Sequence, residues 1–450
     1  MKTKQMKRAG CLLLAALLLT GCAVPSDGGE YEIAAAVYPE MAEYPGDEAL
    51  TGHEKRYDAW RESADRLHNQ PDGYKDGMAD YCTAVIRQFM TGTDGENRVF
   101  SPLSLYSALA MTAETAAGNS RDQILALLGY SDIEELRQKA KSVWEANYTD
   151  DGATVSISAN SLWLSDGVKY NGETLQTLAE NYYASSFRGE MGSDGYSEAM
   201  RNWLNEQTGG LLTDAAESER TDENTVLALF SAMRFSARWM GEFREENTQS
   251  GVFHGAKGDE NAQFMKMDEI EDDYYWADDF AAYFMDLENT GGVWFVLPDE
   301  DASPDDVLAG DDFYRLIFTK VNAAEPEWEN RTFIKINLSV PKFRAESEID
   351  LTEGLSALGV TDIFSAEDAD FSPLTVDFAD PVWIDQAEQN AALEIDEEGI
   401  TAAAYTKMRY YGAPPPPDEV VDFVCDRPFI AVVLGNDDLP VFTCVVNTVN

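Results

Sequence analysis

Apolar residues in the first half of the chain recur every three to four positions, which is the spacing of amphipathic helices. Within residues 78–90, for example, Tyr81, Val85, Ile86 and Phe89 fall on one face of a helix. Further helices are predicted at residues 103–117, 121–128, 133–147, 171–185 and 197–208.

The later part of the chain changes to short runs of β-branched and aromatic residues, the composition of β-strands. Such runs lie at residues 153–164, 227–237, 262–268, 292–298 and 333–343, and several more follow residue 380. Helices thus come first and strands follow without regular alternation, an order typical of α+β proteins with antiparallel or mixed sheets. The pattern shows no break after residue 78, and we expect one domain over residues 76–450.

The N-terminal residues have the pattern of an export signal. Basic residues precede an apolar run at residues 9–19, which is too short to span a bilayer. The run ends in Leu-Thr-Gly-Cys at residues 19–22, which resembles a bacterial lipobox. We therefore expect residues 1–21 to be a signal peptide and Cys22 to carry a lipid on the outer face of a bacterial cell membrane. The alternative is ordinary secretion with Cys22 unmodified.

Residues 22–75 are rich in acidic residues, Pro and Gly, and the pair Tyr-Pro occurs twice. This composition predicts a solvated tether between the lipid and the domain. A short helical pattern at residues 54–67 can dock on the domain.

The composition is strongly acidic, with 82 Asp and Glu against 33 Lys and Arg and a formal net charge of −49. Nucleic-acid binding through a basic face is excluded, because contacts to phosphates need dense Lys and Arg. Anionic headgroups repel such a chain, so we expect it to meet the membrane only through its lipid.

Residues suited to catalysis or metal binding are scarce. The chain has three histidines and no hydrolase, zinc, phosphate-loop or dinucleotide motif. We expect a monomer that is not an enzyme and that has neither cofactor nor metal site. Besides Cys22, the cysteines that remain after signal removal are Cys82, Cys425 and Cys444, and we expect these three to be buried thiols.

Several segments, in the same order, resemble the serpin family. The segment at residues 97–129 contains Phe-Ser-Pro-x-Ser followed by Gly-Asn-Ser. Further similar segments lie at residues 205–212, 231–243, 338–343, 358–359, 369–372, 394–404 and 426–429. Together they cover about residues 78–450.

The resemblance implies an α+β serpin fold, with three β-sheets, about eight or nine helices and an exposed reactive-centre loop. It also implies irreversible inhibition of serine proteases. The protease cleaves the loop and is held as an acyl-enzyme, while the loop inserts into the central sheet; serpin loop insertion is a standard example of strand addition.

The loop has the alternation that insertion requires. Period two places Ile400, Ala402, Ala404, Thr406 and Met408 on one side, where every residue is small or apolar. The charged residues of this stretch fall on the other side, so insertion buries no charge, which would cost several kcal/mol.

The resemblance assigns the hinge of the loop to eight consecutive residues. These are Glu397, Glu398, Gly399, Ile400, Thr401, Ala402, Ala403 and Ala404. Gly399 is expected to supply conformational freedom. Ile400 departs from the family, which usually has Thr or Ser there.

A polar latch of the central sheet is the second site that the resemblance implies. Alignment with the family predicts Ser101, Ser104, Arg201 and Gln389 as its members, where Arg201 (or its neighbour Asn202) and Gln389 stand in the places of the usual Asn and His. Trp239 is predicted in the region where the sheet opens.

The scissile bond is predicted near Tyr411, Gly412 or Ala413. Family spacing from the hinge ends near Ala413, but Pro414 would block cleavage directly before it, which favours Tyr411-Gly412 and then Gly412-Ala413. Tyr suits chymotrypsin-like proteases and Ala suits elastase-like ones.

Three functions are compatible with these features. The hinge favours an inhibitor of serine proteases, whereas Ile400 and the altered latch favour a non-inhibitory serpin that acts as a surface binding or scaffold protein. A solute-binding lipoprotein is a third hypothesis, against which the missing two-lobed βαβ pattern argues.

Overall fold

The computed structural model describes residues 30–46, 54–212, 220–319, 328–400 and 419–449. Its ten α-helices within these ranges are α1 Glu54–His68, α2 Met78–Met90, α3 Pro102–Thr115, α4 Gly118–Leu128, α5 Ile133–Asn147, α6 Gly172–Asn181, α7 Asp194–Gln207, α8 Pro304–Ala309, α9 Asp311–Ile317 and α10 Thr352–Ala357. None of these described helices has the length and apolar composition that a bilayer crossing needs.

Seventeen strands accompany the helices in the described ranges. They are β1 Glu32–Ala34, β2 Arg98–Phe100, β3 Thr149–Asp150, β4 Val155–Ser165, β5 Ala184–Gly189, β6 Leu227–Arg238, β7 Gln249–Gly255, β8 Gly258–Trp276, β9 Phe280–Asp286, β10 Gly292–Pro298, β11 Arg331–Pro341, β12 Phe343–Asp350, β13 Glu388–Ile395, β14 Gly399–Ile400, β15 Val420–Val424, β16 Phe429–Leu434 and β17 Pro440–Val446.

The strands form two hydrogen-bonded networks. The central sheet has the order β1-β5-β4-β6-β14-β13-β12, with β3 on β4. The second network has the order β15-β11-β8-β9-β10-β16-β17-β2, with β7 on β8. It contains the other two expected sheets, because the long strand β8 pairs with β7 and β11 and then, at Tyr275 and Trp276, with β9. The α+β architecture is confirmed.

Both faces of the central sheet are covered, and alternate residues of each strand point to opposite faces. On β6, Phe235 and Ala237 belong to the large core that includes α2 and α3. Ala232 faces the other way, into a smaller core with Met200 and Trp203 of α7.

Helix α6 is shorter than its prediction at residues 171–185. It ends at Asn181, Tyr183 has a left-handed backbone with φ of 50°, and β5 begins at Ala184. The sequence pattern missed β5 because a short strand that is covered on both faces lacks clear alternation.

The N-terminal strap, residues 30–46, is packed on the domain rather than solvated. Strand β1 extends the central sheet antiparallel to β5. The ring of Tyr38 lies 5.4 Å from that of Trp144 and 5.9 Å from that of Tyr148, and burial raises the pKa of Tyr38 well above its ordinary range. The prediction of a solvated tether is therefore wrong for these residues. Their aromatic side chains pack on the domain although the segment is acidic.

Helix α1 also docks, as the pattern at residues 54–67 indicated. The indole N–H of Trp60 donates to Asp151 Oδ2 at 2.9 Å, and the ring of Tyr44 from the strap meets Trp60 edge-on at 5.0 Å. At the helix end, His68 Nε2 lies 2.9 Å from the carbonyl oxygen of Tyr148. The strap and α1 thus hold one another against the domain.

Replacement of Tyr38 by Ala should lower the free energy of unfolding by about 2 kcal/mol, because it removes a ring from an aromatic cluster. Guanidinium-induced unfolding followed by circular dichroism measures the change. The neighbouring Val37→Ala variant is the control, since Val37 is 80% exposed and should change little. Equal midpoints for the Tyr38→Ala variant and the wild type would contradict the packed strap.

Candidate functional site

A tight turn at residues 396–399 follows β13. Asp396 Oδ1 accepts hydrogen bonds from the backbone N–H groups of Glu398 (2.9 Å) and Gly399 (3.2 Å). The Asp396 N–H donates to the Gly399 carbonyl oxygen at 3.1 Å. This turn reverses the chain, so that Ile400 lies opposite Ile395 in an antiparallel ladder.

Strand β14 lies between β13 and β6. On its β6 side, Gly399 pairs with Arg238 and Ile400 pairs with Ala237. Within the ranges that the structure describes, no ladder joins β6 directly to β13. The first residues of the predicted loop are therefore a strand of the central sheet.

Gly399 is required by close backbone contact. Its φ is 149°, and a Cβ atom there would lie 2.3 Å from the Ala237 carbonyl oxygen and 2.7 Å from Arg238 Cα. No side chain fits at these distances, so the role of Gly399 is steric as well as conformational.

Ile400 is 2% exposed and packs in the large core with Ala237 and Ile395. The core on the α3 side thus accommodates the residue that departs from the family pattern. The other predicted loop residues lie outside the described residues: Thr401, Ala402, Ala403, Ala404, Tyr411, Gly412 and Ala413. The predicted lipidation residue Cys22 also lies outside them.

Trp239 directly follows β6 and donates two hydrogen bonds to the turn. Its indole N–H donates to the Asp396 carbonyl oxygen at 2.9 Å, and its backbone N–H donates to the Glu398 carbonyl oxygen at 3.2 Å. The side chain is buried against Phe243 and Phe295. Opening of the sheet at this point must break both hydrogen bonds.

Within the described part of the chain, Glu397 forms an ion pair that holds the turn. Its Oε2 lies 2.5 Å from Lys342 Nζ, and its Oε1 accepts from the Thr248 hydroxyl at 2.7 Å. Burial alone would raise the pKa of Glu397, but these hydrogen bonds outweigh it and lower the pKa. The pKa of Lys342 is raised in turn by its bond to Glu397.

Three predicted latch residues lie together. Gln389 on β13 accepts a hydrogen bond from the Ser101 N–H at 2.7 Å and donates one to the Ser101 carbonyl oxygen at 3.0 Å. Ser101 caps α3 by accepting from the Ser104 N–H at 3.2 Å. Gln389 therefore ties β13 to the N-terminus of α3.

The prediction for Arg201 is wrong. Arg201 lies on α7, whose neighbouring residues Met200 and Trp203 pack on the opposite face of the central sheet. The comparison by sequence placed the fourth latch position on the wrong element.

Ser231 on β6 lies on the same face of the central sheet as the bond between Gln389 and Ser101, and the sequence predictions did not include it. It points to the α3 face, because Met233 and Phe235 at the same period pack in that core. Its Oγ is buried and has no hydrogen-bond partner among the described residues. Counting back along β6 from Trp239 with period two would have identified this inward position.

The three cysteines within the described residues are buried free thiols, as predicted. Burial raises the pKa values of Cys82, Cys425 and Cys444 well above the ordinary value of a thiol. They are therefore unreactive in the folded chain.

Comparison with known proteins gives one family. A family model described as Serpin (serine protease inhibitor) matches residues 76–448. Neuroserpin from Mus musculus is 30% identical over 71% of this chain and 78% of its own length. Plasminogen activator inhibitor 1 from Sus scrofa is 28% identical over 79% of this chain and 88% of its own length.

Solved structures agree with this result. The native state of the thermophilic serpin tengpin has a TM-score of 0.71 and 24% identity, and the match covers 86% of this chain and 98% of that one. Thyroxine-binding globulin in complex with thyroxine has a TM-score of 0.68 and 21% identity, covering 83% and 99%. These likenesses show the fold.

Replacement of Glu397 by Gln should lower the free energy of unfolding at pH 7 by about 1 kcal/mol, because it removes the ion pair with the partly exposed Lys342. The contribution of Glu397 is fully present above its unfolded pKa of about 4.3 and is lost as the pH falls through its lower folded pKa. Unfolding midpoints of variant and wild type should therefore converge at acid pH, once Glu397 is protonated in both the folded and the unfolded state.

The matched control is Glu398→Gln, one residue along the same turn, whose side chain forms no ion pair or hydrogen bond among the described residues. A difference between Glu397→Gln and wild type that persists unchanged at low pH would contradict the ion-pair explanation.

Proposed function

The chain belongs to the serpin family, and we propose that it is an irreversible inhibitor of serine proteases rather than an enzyme. The protease hydroxyl attacks the carbonyl carbon of the scissile residue, an ester forms, and the peptide bond breaks with the proton passing to the new amine. Loop insertion then traps this acyl-enzyme. The observation that carries the proposal is the position of Gly399 and Ile400 between β6 and β13.

The register of β14 supports insertion of the whole loop. Ile400 lies opposite Ala237 in an antiparallel ladder. If this ladder continues, each step forward along the loop corresponds to one step back along β6. Tyr410 then reaches Leu227, the first residue of β6. The favoured scissile residue, Tyr411, would thus arrive where the strand begins, and the inserted segment matches β6 in length.

Continued through the loop, the same register would bring Thr406 to the latch. Continued from Ile400, the ladder sets Thr406 opposite Ser231 on one side and opposite Gln389 on the other. All three residues would share the face toward α3, and the Thr406 hydroxyl would give the buried Ser231 Oγ a partner. Insertion thereby satisfies a polar group instead of burying an unsatisfied one.

The burial of Ile400 also supports the proposed inward side of the loop. Because Ile400 packs in the core on the α3 side, Ala402, Ala404 and Met408 would follow it there, and Lys407 would face away. This arrangement keeps charge out of the core.

We further propose chymotrypsin-like or elastase-like targets, from Tyr411 and Ala413 at the candidate cleavage positions. The lipobox-like sequence supports export with a lipid on Cys22 and a position on the outer face of a bacterial membrane. Intact mass of the mature chain tests the lipid directly, since it predicts loss of residues 1–21 and addition of acyl mass to Cys22.

A non-inhibitory serpin is the second candidate. The observation that favours it is Ile400 already seated in the sheet, with Gln389 in place of the usual latch histidine. Thyroxine-binding globulin, whose structure is similar to this chain, is described as a complex with thyroxine. In that case, cleavage of the loop should leave the melting temperature unchanged.

Incubation with chymotrypsin, elastase and trypsin should give a covalent adduct that survives SDS with at least one enzyme. Intact-mass analysis of the same mixtures locates the cleaved bond, which we expect at Tyr411-Gly412. If every protease only cleaves the loop and is released in active form, inhibition is excluded.

The variant Ala402→Arg should abolish adduct formation and turn the chain into a substrate, because a charge would enter the core. The matched variant Ala403→Arg carries the same charge one residue later, on the outward side, and should still form the adduct. For both variants, we would measure formation of the covalent adduct and the rate at which the protease still cleaves a peptide substrate. Equal behaviour of the two variants would contradict the proposed register.

A further inference from the structure

The N-terminal strap runs along the edge of the central sheet from one end to the other. Near its start, the Tyr31 carbonyl oxygen accepts from the Arg188 N–H at 2.8 Å and Glu32 pairs with Phe187. Near its end, the Tyr44 N–H donates to the Asp151 carbonyl oxygen at 2.7 Å. Both ends are fixed by hydrogen bonds, so the direction of the strap is defined.

The start of the strap lies at the end of the sheet that is remote from the hinge. Phe187 is opposite Trp163, and Trp163 is opposite Ala228, the second residue of β6. The hinge pairs with Ala237 and Arg238, the last residues of β6. We call these the anchor end and the loop end of the sheet.

The two ends of the sheet are farther apart than the linker, residues 22–30, can span. Cys22 precedes Glu30 by eight residues, which span at most about 29 Å when fully extended. The twelve residues of β6 span about 36 Å. A lipid on Cys22 therefore lies near the anchor end and cannot reach the loop end.

We propose that the anchor end faces the membrane, that the reactive loop points away from it, and that trapping carries the protease to the membrane side. This inference rests on the proposed lipid and the proposed loop insertion. It makes the membrane surface a partner of the final complex, although not of the first encounter with the protease.

Insertion brings the protease to the anchor end because Tyr411 would move from the loop end to the level of Leu227. A protease of about 230 residues has a radius of gyration of about 17 Å and a diameter of about 45 Å. That diameter exceeds the longest span of the linker, so the domain must tilt to admit the protease. The membrane therefore opposes the last part of insertion and favours release over trapping.

Fluorescence energy transfer to a labelled lipid tests the orientation without any protease. Single cysteines at Glu190→Cys, next to the last residue of β5 at the anchor end, and at Glu246→Cys, beside the hinge contact Thr248, provide exposed labelling sites. The native thiols at Cys82, Cys425 and Cys444 are buried and stay unlabelled.

The lipidated chain, purified in detergent and returned to phosphatidylcholine vesicles, should show stronger transfer from position 190 than from position 246. Equal or reversed transfer would overturn the orientation. A chain recovered without lipid on Cys22 would overturn it as well, whether or not the chain inhibits in solution.

The ratio of cleaved chain to adduct tests the trapping step. On vesicles this ratio should be about twofold higher than in detergent, because the membrane occupies the space that the trapped protease needs at the anchor end. Insertion of about 20 Gly/Ser residues between Gly28 and Gly29, which extend to about 70 Å, should restore the detergent value.

An unchanged ratio on vesicles, or one that the longer linker does not restore, would overturn trapping on the membrane side. Absence of adduct in detergent would instead contradict the proposed inhibition, while the orientation measured by energy transfer would still stand.

Discussion

The backbone hydrogen bonds of Gly399 and Ile400 to both neighbouring strands are the constraint on which the rest of the structure depends. They require a turn of four residues after β13, a glycine where Ala237 and Arg238 approach closely, and an apolar residue at the first inward position. Each of these requirements is met by the sequence at that position. The loop therefore begins in the register that insertion would need.

Polar contacts around the turn set how firmly it is held. Trp239 binds two of its carbonyl oxygens, and the pair of Glu397 with Lys342 connects it to the segment between β11 and β12. Farther from the turn, β13 and β6 border the gap into which the loop would insert. There, Gln389 of β13 is bound to Ser101, whereas the buried Ser231 hydroxyl of β6 has no partner in the described ranges. The polar groups at the hinge end are thus hydrogen-bonded, whereas the Ser231 hydroxyl in the middle of the gap would gain a partner only from an inserted Thr406.

Much of this could be predicted from the sequence because period and motif act locally. The helix at residues 133–147, the strand at residues 292–298 and the inward side of Ile400 follow from spacing alone. Arg201 was misplaced because a latch joins residues from distant elements, whose register only the folded sheet defines. The strap was misread because its composition is that of a linker, while its packing depends on Tyr38 meeting Trp144, a residue more than 100 positions later.

Amide hydrogen exchange, read by mass spectrometry before and after a single cut in the loop, tests the central claim most directly. The account predicts that residues 401–410 and the facing residues of β6 become strongly protected once the loop is cut, because they join one ladder. Exchange at residues 401–410 that stays as fast as in an unfolded peptide would contradict it.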